Sequence, residues 1–300
     1  SFLWGIFFLV FTVFGYFQYL CNLQKPIWIL FFFLFFVKSS PVAREFTVNI
    51  FPSDIKLYEG SQQMLLISKH SGSGFIDDLS RNASLTTSNP AVAIVQNGII
   101  RAVGEGLAKI RVEVNSNVRN VDVIVFPSTG HERLSFVGNV LPILSKAGCS
   151  GGSCHAKPNG QNGFTLSVFS NDPKSDYREV VRDQRGRRVF PALPSESLLL
   201  KKPTLKVKHE GGRRFTDDSY FYNIIHKWIE EGMLYKRVGE PNLIGIDVFP
   251  FERRYLKSSS QQLVVTANFS DGSSRDVTHL AEFSSNEKEV ARINSEGVLN

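Results

Sequence analysis

The residues with the clearest chemical capacity form one short stretch, Cys149-Ser150-Gly151-Gly152-Ser153-Cys154-His155. Two thiols and an imidazole stand together in a loop that otherwise contains only glycine and serine. The pattern Cys-x-x-Cys-His attaches a c-type haem covalently, with the thiols on the vinyl groups and the histidine on the iron. Here four residues separate the cysteines, and the glycines between them would let the loop bulge.

The elements that must position this loop lie in residues 131–240. Apolar residues at helical spacing in 134–144 predict a helix before the loop, and Gly148 suits the position after its end. Residues Phe164–Phe169 suggest a short strand. Asp172-Pro173 predicts the start of a helix, and Asp217-Asp218-Ser219 caps a second, strongly apolar helix that ends at Gly232.

The regions on either side predict β-structure, and they repeat each other. Residues 46–126 show short strands with period-two alternation, and Asn97-Gly98 between β-branched runs is a hairpin signal. The pattern returns near the C-terminus but lacks equivalents of 104–113 and 121–125, which suggests that the natural protein continues. The matched segments are 48–52 with 246–250, Gln62-Gln63 with Gln261-Gln262, 78–80 with 276–278, and 96–100 with 295–299.

Two apolar runs open the chain, Phe2–Leu20 and Ile27–Val37. The first is long enough to span a bilayer. The second has the length of a signal-peptide core, with Lys25 before it and small residues at Ser39–Ala43 after it. As a signal peptide or as membrane anchors, these runs predict export of the remainder. Because the chain starts at Ser1 and its first methionine is Met64, we expect a fragment or a processed product.

Composition, charge and motifs argue against two classes of function, nucleic-acid binding and catalysis. The formal net charge of +6 is mild, and the basic residues are interleaved with acids, so we expect no nucleic-acid partner. No hydrolase or transferase motif is present, and we expect no enzymatic activity in this part of the protein. Of the three cysteines, Cys21 lies in the leader. In an exported protein the remaining close pair has three options: a disulfide, thioethers to haem, or a metal site.

The β-regions resemble group 2 bacterial Ig-like domains. The shared marks are the opening (V/I)-x-(V/I)-x-P, the segment Ser88–Ala93 echoed at Ser284–Ala291, and Ala102–Ile110, which follows the pattern A-x-G-x-G-x-A-x-I. Such domains are usually spacers or adhesive modules on cell surfaces, so the resemblance implies β-sandwiches and a surface role. Acids such as Asp77, Asp78 and Asp271 are better interpreted as turn residues than as calcium ligands.

The segment between them resembles a divergent cytochrome-c-like domain found, between Ig-like domains, in large surface proteins of planctomycete-type bacteria. The matching residues are 148–156, 162–164, 185–191, 194–200, 209–215 and 228–233. The resemblance implies covalent haem c on Cys149 and Cys154, His155 as the proximal ligand and His209 as the distal ligand, with Met233 as the alternative. Arg185–Arg188 would steer an anionic partner, pair with haem propionates, or form a solvated turn.

Two other interpretations of the same residues stay open. Cys149 and Cys154 can form a disulfide that closes a small loop. Alternatively, both cysteines together with His155 and His209 can bind zinc or another metal ion.

The predicted fold class is multidomain, with two all-β Ig-like sandwiches flanking a mostly α cytochrome-c-like domain. The domains are a hydrophobic leader at 1–43, an Ig-like sandwich at 44–127, the cytochrome-c-like domain at 131–240 and a second, truncated sandwich at 243–300. The predicted function is electron transfer by an exported periplasmic or cell-surface protein, which its leader can anchor in a membrane, with an unknown redox partner. The alternative is a structural or adhesive surface protein, pinned by a Cys149–Cys154 disulfide, that binds polysaccharide or protein.

Overall fold

The computed structural model describes residues 46–72, 74–127, 133–255 and 257–300. The predicted leader at 1–43 lies outside these residues. Within the described part of the chain, no helix combines the length and the apolar character that a membrane crossing requires.

Residues 46–126 form ten strands, which we call the first β module. Alternate residues of the long strand β9 are buried, so one face of its sheet packs on the core. The sheets have the orders β1-β4-β5, β2-β10-β9-β6 and β3-β8-β7, with β2 and β10 parallel. The strands are β1 Thr47–Phe51, β2 Asp54–Tyr58, β3 Gln62–Met64, β4 Leu66–Ser71, β5 Gly74–Asp78, β6 Ser84–Thr87, β7 Ala93–Gln96, β8 Ile99–Ala102, β9 Gly106–Val114 and β10 Asn117–Phe126.

The predicted hairpin at Asn97-Gly98 is confirmed. Strands β7 and β8 pair antiparallel across it, and both turn residues have positive φ, 52° for Asn97 and 78° for Gly98. Asparagine and glycine are the residues that tolerate this left-handed conformation best, which is why the pair specifies a tight turn.

Residues 243–300, the second β module, contain fewer strands. Its sheets have the orders β11-β13-β14 and β12-β15. In the first module β2 and β6 pair with β10 and β9, and the described residues of 243–300 contain no counterpart of β9 or β10. The strands are β11 Leu243–Phe249, β12 Gln261–Gln262, β13 Val264–Phe269, β14 Ser274–Asp276 and β15 Val298–Leu299.

Residues 133–240, the central segment, pack short helices around one apolar core. Trp228 and Phe136 are fully buried there, with ring centroids 5.7 Å apart. The helices are α1 Leu141–Lys146, α2 Pro173–Val181, α3 Leu198–Lys201 and α4 Tyr220–Glu230, joined by single helical turns at Phe136–Val140, Val168–Ser170, Asp183–Gly186 and Pro194–Glu196.

Two of the sequence-predicted helices are confirmed. Asp172 caps α2 by accepting a hydrogen bond from the Ser175 amide, and Ser219 caps α4 in the same way through Tyr222. The strand predicted at Phe164–Phe169 is wrong. Phe169 has a left-handed conformation with φ 50°, and the chain forms a single helical turn at that point.

The predicted fold class is wrong. Of the residues that the structure describes, 32% are in strands and 18% in helices, and they contain no large α-helical cytochrome-like domain. The helices between the β modules span only 4 to 11 residues. The helices predicted in residues 131–240 are present but short, and the left-handed residues Gln184 and Arg185 follow soon after the end of α2.

Candidate functional site

The Cys149–His155 loop begins where α1 ends. Gly148 has φ 75°, the left-handed conformation that commonly follows a helix, and it turns the chain away from the helix axis. The His155 amide donates to the Cys149 carbonyl oxygen at 3.1 Å, and the Cys154 amide donates to that of Gly151 at 2.9 Å. These bonds close the loop on itself and bring the histidine back beside the first cysteine.

The orientation of His155 is fixed from one side of its ring. Its Nδ1 lies 3.1 Å from the Phe164 carbonyl oxygen, and its ring centroid is 4.5 Å from that of Phe164. Because a carbonyl oxygen can only accept, Nδ1 carries the hydrogen and Nε2 of the neutral ring keeps a free lone pair. Burial lowers the pKa of His155, which favours this neutral form.

His209 is held in the same way. Its Nδ1 lies 2.9 Å from the Gly212 carbonyl oxygen, which again directs the free lone pair to Nε2. A side chain at Gly211 would place its Cβ 2.9 Å from His209 Cε1, so only glycine leaves the ring in this position. The two imidazoles lie almost parallel, at an interplanar angle of 9° with centroids 6.5 Å apart. The structure therefore brings the predicted pair of ligands together.

The two cysteines differ in environment. Cys149 packs against the core of the central segment, and burial raises the pKa of its thiol to about 11. Cys154 accepts a hydrogen bond from Arg214 Nη2 at 3.4 Å. Both are free thiols in the structure. Cys149 is thus an un-ionised thiol at neutral pH, whereas the Cys154 sulfur lies beside the Arg214 guanidinium.

Met233, the alternative distal ligand, follows α4 and packs on the core of the central segment. Its amide donates to the Trp228 carbonyl oxygen at 2.9 Å, and its own carbonyl accepts from the Tyr177 hydroxyl at 2.7 Å. Of the two candidate distal ligands, it is His209, and not Met233, whose side chain lies parallel to the His155 ring.

Arg188 has a role that the sequence did not reveal. It was grouped with Arg185 as part of a basic turn, but only 5% of it is exposed. Its guanidinium lies over the Phe164 ring at 4.5 Å, pairs with Glu179 at 3.5 Å and donates to the Gly163 carbonyl oxygen at 2.6 Å. Arg188 therefore supports the segment whose carbonyl oxygen holds His155.

In residues 46–300, outside the few positions that the structure does not describe, no three His, Cys, Asp or Glu side chains converge where one metal ion could bind. The alternative of a zinc site with Cys149, Cys154, His155 and His209 as four ligands therefore has no such cluster to support it.

A second candidate site joins the two β modules through two aspartates. Asp276 of the second module accepts from the Gln63 side chain at 3.2 Å and from the Met64 amide. Asp78 of the first module accepts from the Gln261 side chain at 3.0 Å and from the Gln262 amide. We call Asp78 and Asp276 the carboxylate pair. Each aspartate binds the edge of the opposite module, so the contact is reciprocal.

Equivalent positions of the repeat form this contact. Val298 pairs with Gln262 and Ile99 pairs with Met64, so Gln261-Gln262 correspond to Gln63-Met64. The sequence match of Gln261-Gln262 with Gln62-Gln63 was therefore wrong by one residue. Phe51 and Phe249, which also correspond, stack with centroids 3.9 Å apart. Asp78 was interpreted as a turn acid, and its equivalence to Asp276 was the only signal of this second role.

The central segment contacts the second module as well. Lys146 at the end of α1 donates to the carbonyl oxygens of Ala281 and Ser295, and Ser145 donates to Glu282 at 3.2 Å. The Tyr220 ring of α4 packs edge-on against His279 with centroids 4.9 Å apart. The helix that precedes the Cys149–His155 loop is thus attached to the second module.

No family model and no curated protein matches the chain. Among solved structures, domains 4 and 5 of the S-layer protein SbsC align with 26% of this chain and 50% of theirs, at 16% identity and a TM-score of 0.23. Domains 5–6 of the same protein align with 30% of this chain and 46% of theirs, at 15% identity and a TM-score of 0.24. The match thus spans half or less of each SbsC structure.

Proposed function

We propose that this chain is part of an exported structural protein of the cell surface, in which two β modules and the central segment form one mechanical unit. The carboxylate pair is the observation that carries this proposal. A chain of independent spacer modules needs no specific contact between its copies. Here equivalent residues bind each other reciprocally, and the central segment is attached to one of the copies. The predicted signal sequence or anchor at 1–43 and the Ig-like pattern of the modules support the surface location.

Thermal unfolding tests the mechanical unit. The chain should unfold in one cooperative transition, and the double variant Asp78→Ala/Asp276→Ala should split it into two and lower the stability by about 1–3 kcal/mol per lost aspartate. Asp271→Ala is the matched control, because Asp271 accepts only from Ser273 within its own turn. Two transitions in the unaltered chain, or one transition retained by the double variant, would contradict the proposal.

The surface location is tested separately on intact cells of the source organism. Protease added outside should cleave the protein, while a cytoplasmic marker stays intact. Protection of the protein in intact cells, with cleavage only after lysis, would reject the surface location.

The histidine pair favours a second candidate function, binding of haem c. The rings of His155 and His209 lie parallel with centroids 6.5 Å apart, and both Nδ1 atoms are engaged by carbonyl oxygens, as is usual for ligating histidines. The site would lie on a loop-rich segment and not on a cytochrome c fold.

In this candidate function each residue has a definite task. The thiols of Cys149 and Cys154 would each add across one vinyl group, with sulfur bonding one carbon and the hydrogen the other, so that no oxidant is needed. His155 and His209 would ligate through Nε2, and the carbonyls of Phe164 and Gly212 hold their rings in place. A haem held by these residues would supply one-electron transfer.

Expression with periplasmic export and a c-type haem maturation system tests this candidate. Covalent haem predicts a Soret band that survives denaturation and a mass gain of one haem. His209→Ala should alter the low-spin spectrum, whereas Met233→Ala, the matched control, should leave it unchanged. A colourless protein in which Cys149 and Cys154 are oxidised to a disulfide would reject haem and support the structural alternative.

A further inference from the structure

A cavity of about 450 Å³ lies beside β1, where the first β module meets the start of the second. β1 is an outer strand of its sheet, and residues 119–121 of β10 contribute a wall from the opposite sheet. Phe249 and Arg253 contribute a wall from the second module. The volume is in the range of small-molecule sites, which occur preferentially between domains. The lining includes no residue of the carboxylate pair or of the Cys149–His155 loop.

The ionisable side chains of this lining are all basic. They are Arg119 of β10, Arg253 and the imidazole of His70 in β4, and none of the described lining residues is an aspartate or a glutamate. Neither arginine forms a hydrogen bond or an ion pair with another described residue. Cations that line a concave site without an acid beside them concentrate a positive potential there. The lining therefore favours an anion over a neutral ligand or a cation.

Arg119 extends from the core-facing side of its sheet. In β10 the side chains of Val121, Val123 and Val125 are buried in the core of the first module. Because alternate residues of a strand face the same side, Arg119 shares the face of Val121. It lies two residues before Val121, where the sheet ends, and it is exposed. Its guanidinium is therefore directed towards the opening between the two sheets, which is where the cavity lies.

Arg253 and His70 are held next to each other by Phe75. The guanidinium carbon of Arg253 lies 4.5 Å from the centroid of the Phe75 ring, and the His70 ring meets the same ring edge-on, with centroids 5.9 Å apart. Stacking covers one face of a guanidinium but leaves its in-plane N–H donors available. His70 Nε2 lies 2.9 Å from the Ser68 hydroxyl, which can donate to it and leave Nδ1 as an N–H donor. Burial and the charge of Arg253 lower the pKa of His70, so the ring is a neutral donor.

We propose that this cavity binds an oxyanion group, a carboxylate or a phosphate, through Arg119 and Arg253, with His70 as a further donor. Guanidinium groups are suited to this ligand because their forked N–H donors match the oxygens of both anions. At a cell surface, acidic polysaccharides carry the carboxylate and phosphate-bearing polymers carry the phosphate. The site goes beyond the structural role and does not depend on haem. Because Arg253 belongs to the second module and Arg119 to the first, a bound anion would also link the two modules.

Titration calorimetry of the whole chain at low ionic strength tests the proposal, with galacturonate and glycerol 3-phosphate as anionic probes and galactose as the neutral probe. At least one anion should bind and galactose should not. Arg119→Gln and Arg253→Gln should each weaken binding about tenfold or more, because each removes a charged donor. Arg254→Gln is the matched control and should leave binding unchanged, because Arg254 is exposed and adjacent in the chain but does not line the cavity.

Three results would overturn the proposal. They are no binding of either anion to the folded chain, binding of galactose as tight as that of the anions, and equal weakening by Arg254→Gln and the two cavity variants, which would mean attraction to the net charge alone. Preference for galacturonate or for glycerol 3-phosphate supports the site and identifies the source of the anion. Failure here leaves the single unfolding transition untouched, so it is distinguishable from failure of the mechanical unit.

Discussion

The two β modules share one sequence pattern but bury it differently. Val48 in β1 is 7% exposed, whereas Ile246, at the same position of the repeat in β11, is 58% exposed. Both strands pair with equivalent strands of their own modules, β1 with β4 and β11 with β13, in matching register. The difference lies in the facing sheet, because β9 and β10 cover the core of the first module, and no counterpart of them occurs in the part of 243–300 that the structure describes. An alternating strand pattern thus specifies which face is apolar, while burial depends on what packs against it.

The largest expected effect comes from breaking the better-covered core. Ile110 in β9 is fully buried, so Ile110→Ala should lower the free energy of unfolding by about 2–5 kcal/mol. Ile246→Ala removes the same atoms from an exposed site and should cost less than about 1 kcal/mol. Chemical denaturation measures both values. Equal costs for the two variants would show that the modules are equally well packed.

A second difference is in acid stability. Burial lowers the folded pKa of His279 in the second module to about 4, below its ordinary value of 6.5. Between pH 6.5 and pH 4 the His279 imidazole is protonated in the unfolded chain but neutral in the folded chain. The folded chain is therefore most stable, with respect to this group, above about pH 6.5, and it loses up to about 3 kcal/mol of stability as the pH falls towards 4. The His279→Gln variant should lose this part of the pH dependence, as measured by denaturation at several pH values.

Two controls separate His279 from its surroundings. Burial raises the pKa of Asp276, so the contribution of Asp276 to the pH dependence of stability has the opposite sign to that of His279. The contribution of the imidazole is therefore the difference in stability between the unaltered chain and His279→Gln at each pH. In the first module His70 also has a lowered pKa, and His70→Gln should change the pH dependence less because His70 is nearer the solvent. A His279→Gln variant with the same acid sensitivity as the unaltered chain would contradict the prediction.

The smallest expected effect concerns charges on β9 and β10, the two strands that lack counterparts. Lys109 and Asp122 form an ion pair across them, with side chains 63% and 68% exposed. Exposed pairs contribute little, so Asp122→Ala should change the free energy of unfolding by less than about 1 kcal/mol. Denaturation at low and high salt measures it. A larger loss would show that this ion pair, and not the burial of apolar side chains, provides most of the stability of β9 and β10.

Local patterns were sufficient for part of this structure. The Asn97-Gly98 turn, the cap at Asp172 and the cap at Ser219 were predicted because a few neighbouring residues decide backbone conformation and hydrogen bonding at such positions. The same local reasoning failed for the strand predicted at Phe164–Phe169 and for the predicted mostly α fold of the central segment. Apolar residues at helical spacing were present there, but left-handed residues at Phe169, Gln184 and Arg185 keep the helices short.

By itself, the sequence determined the short-range features, including the closeness of Cys149, Cys154 and His155 and the repeat that relates the two modules. Only the tertiary structure decided that His209 lies parallel to His155, that Asp78 and Asp276 bind opposite modules, and that Arg188 is buried. The physical reason is distance along the chain. Gln63 and Asp276 are 213 residues apart, and such contacts depend on how the whole chain packs, which no local preference encodes.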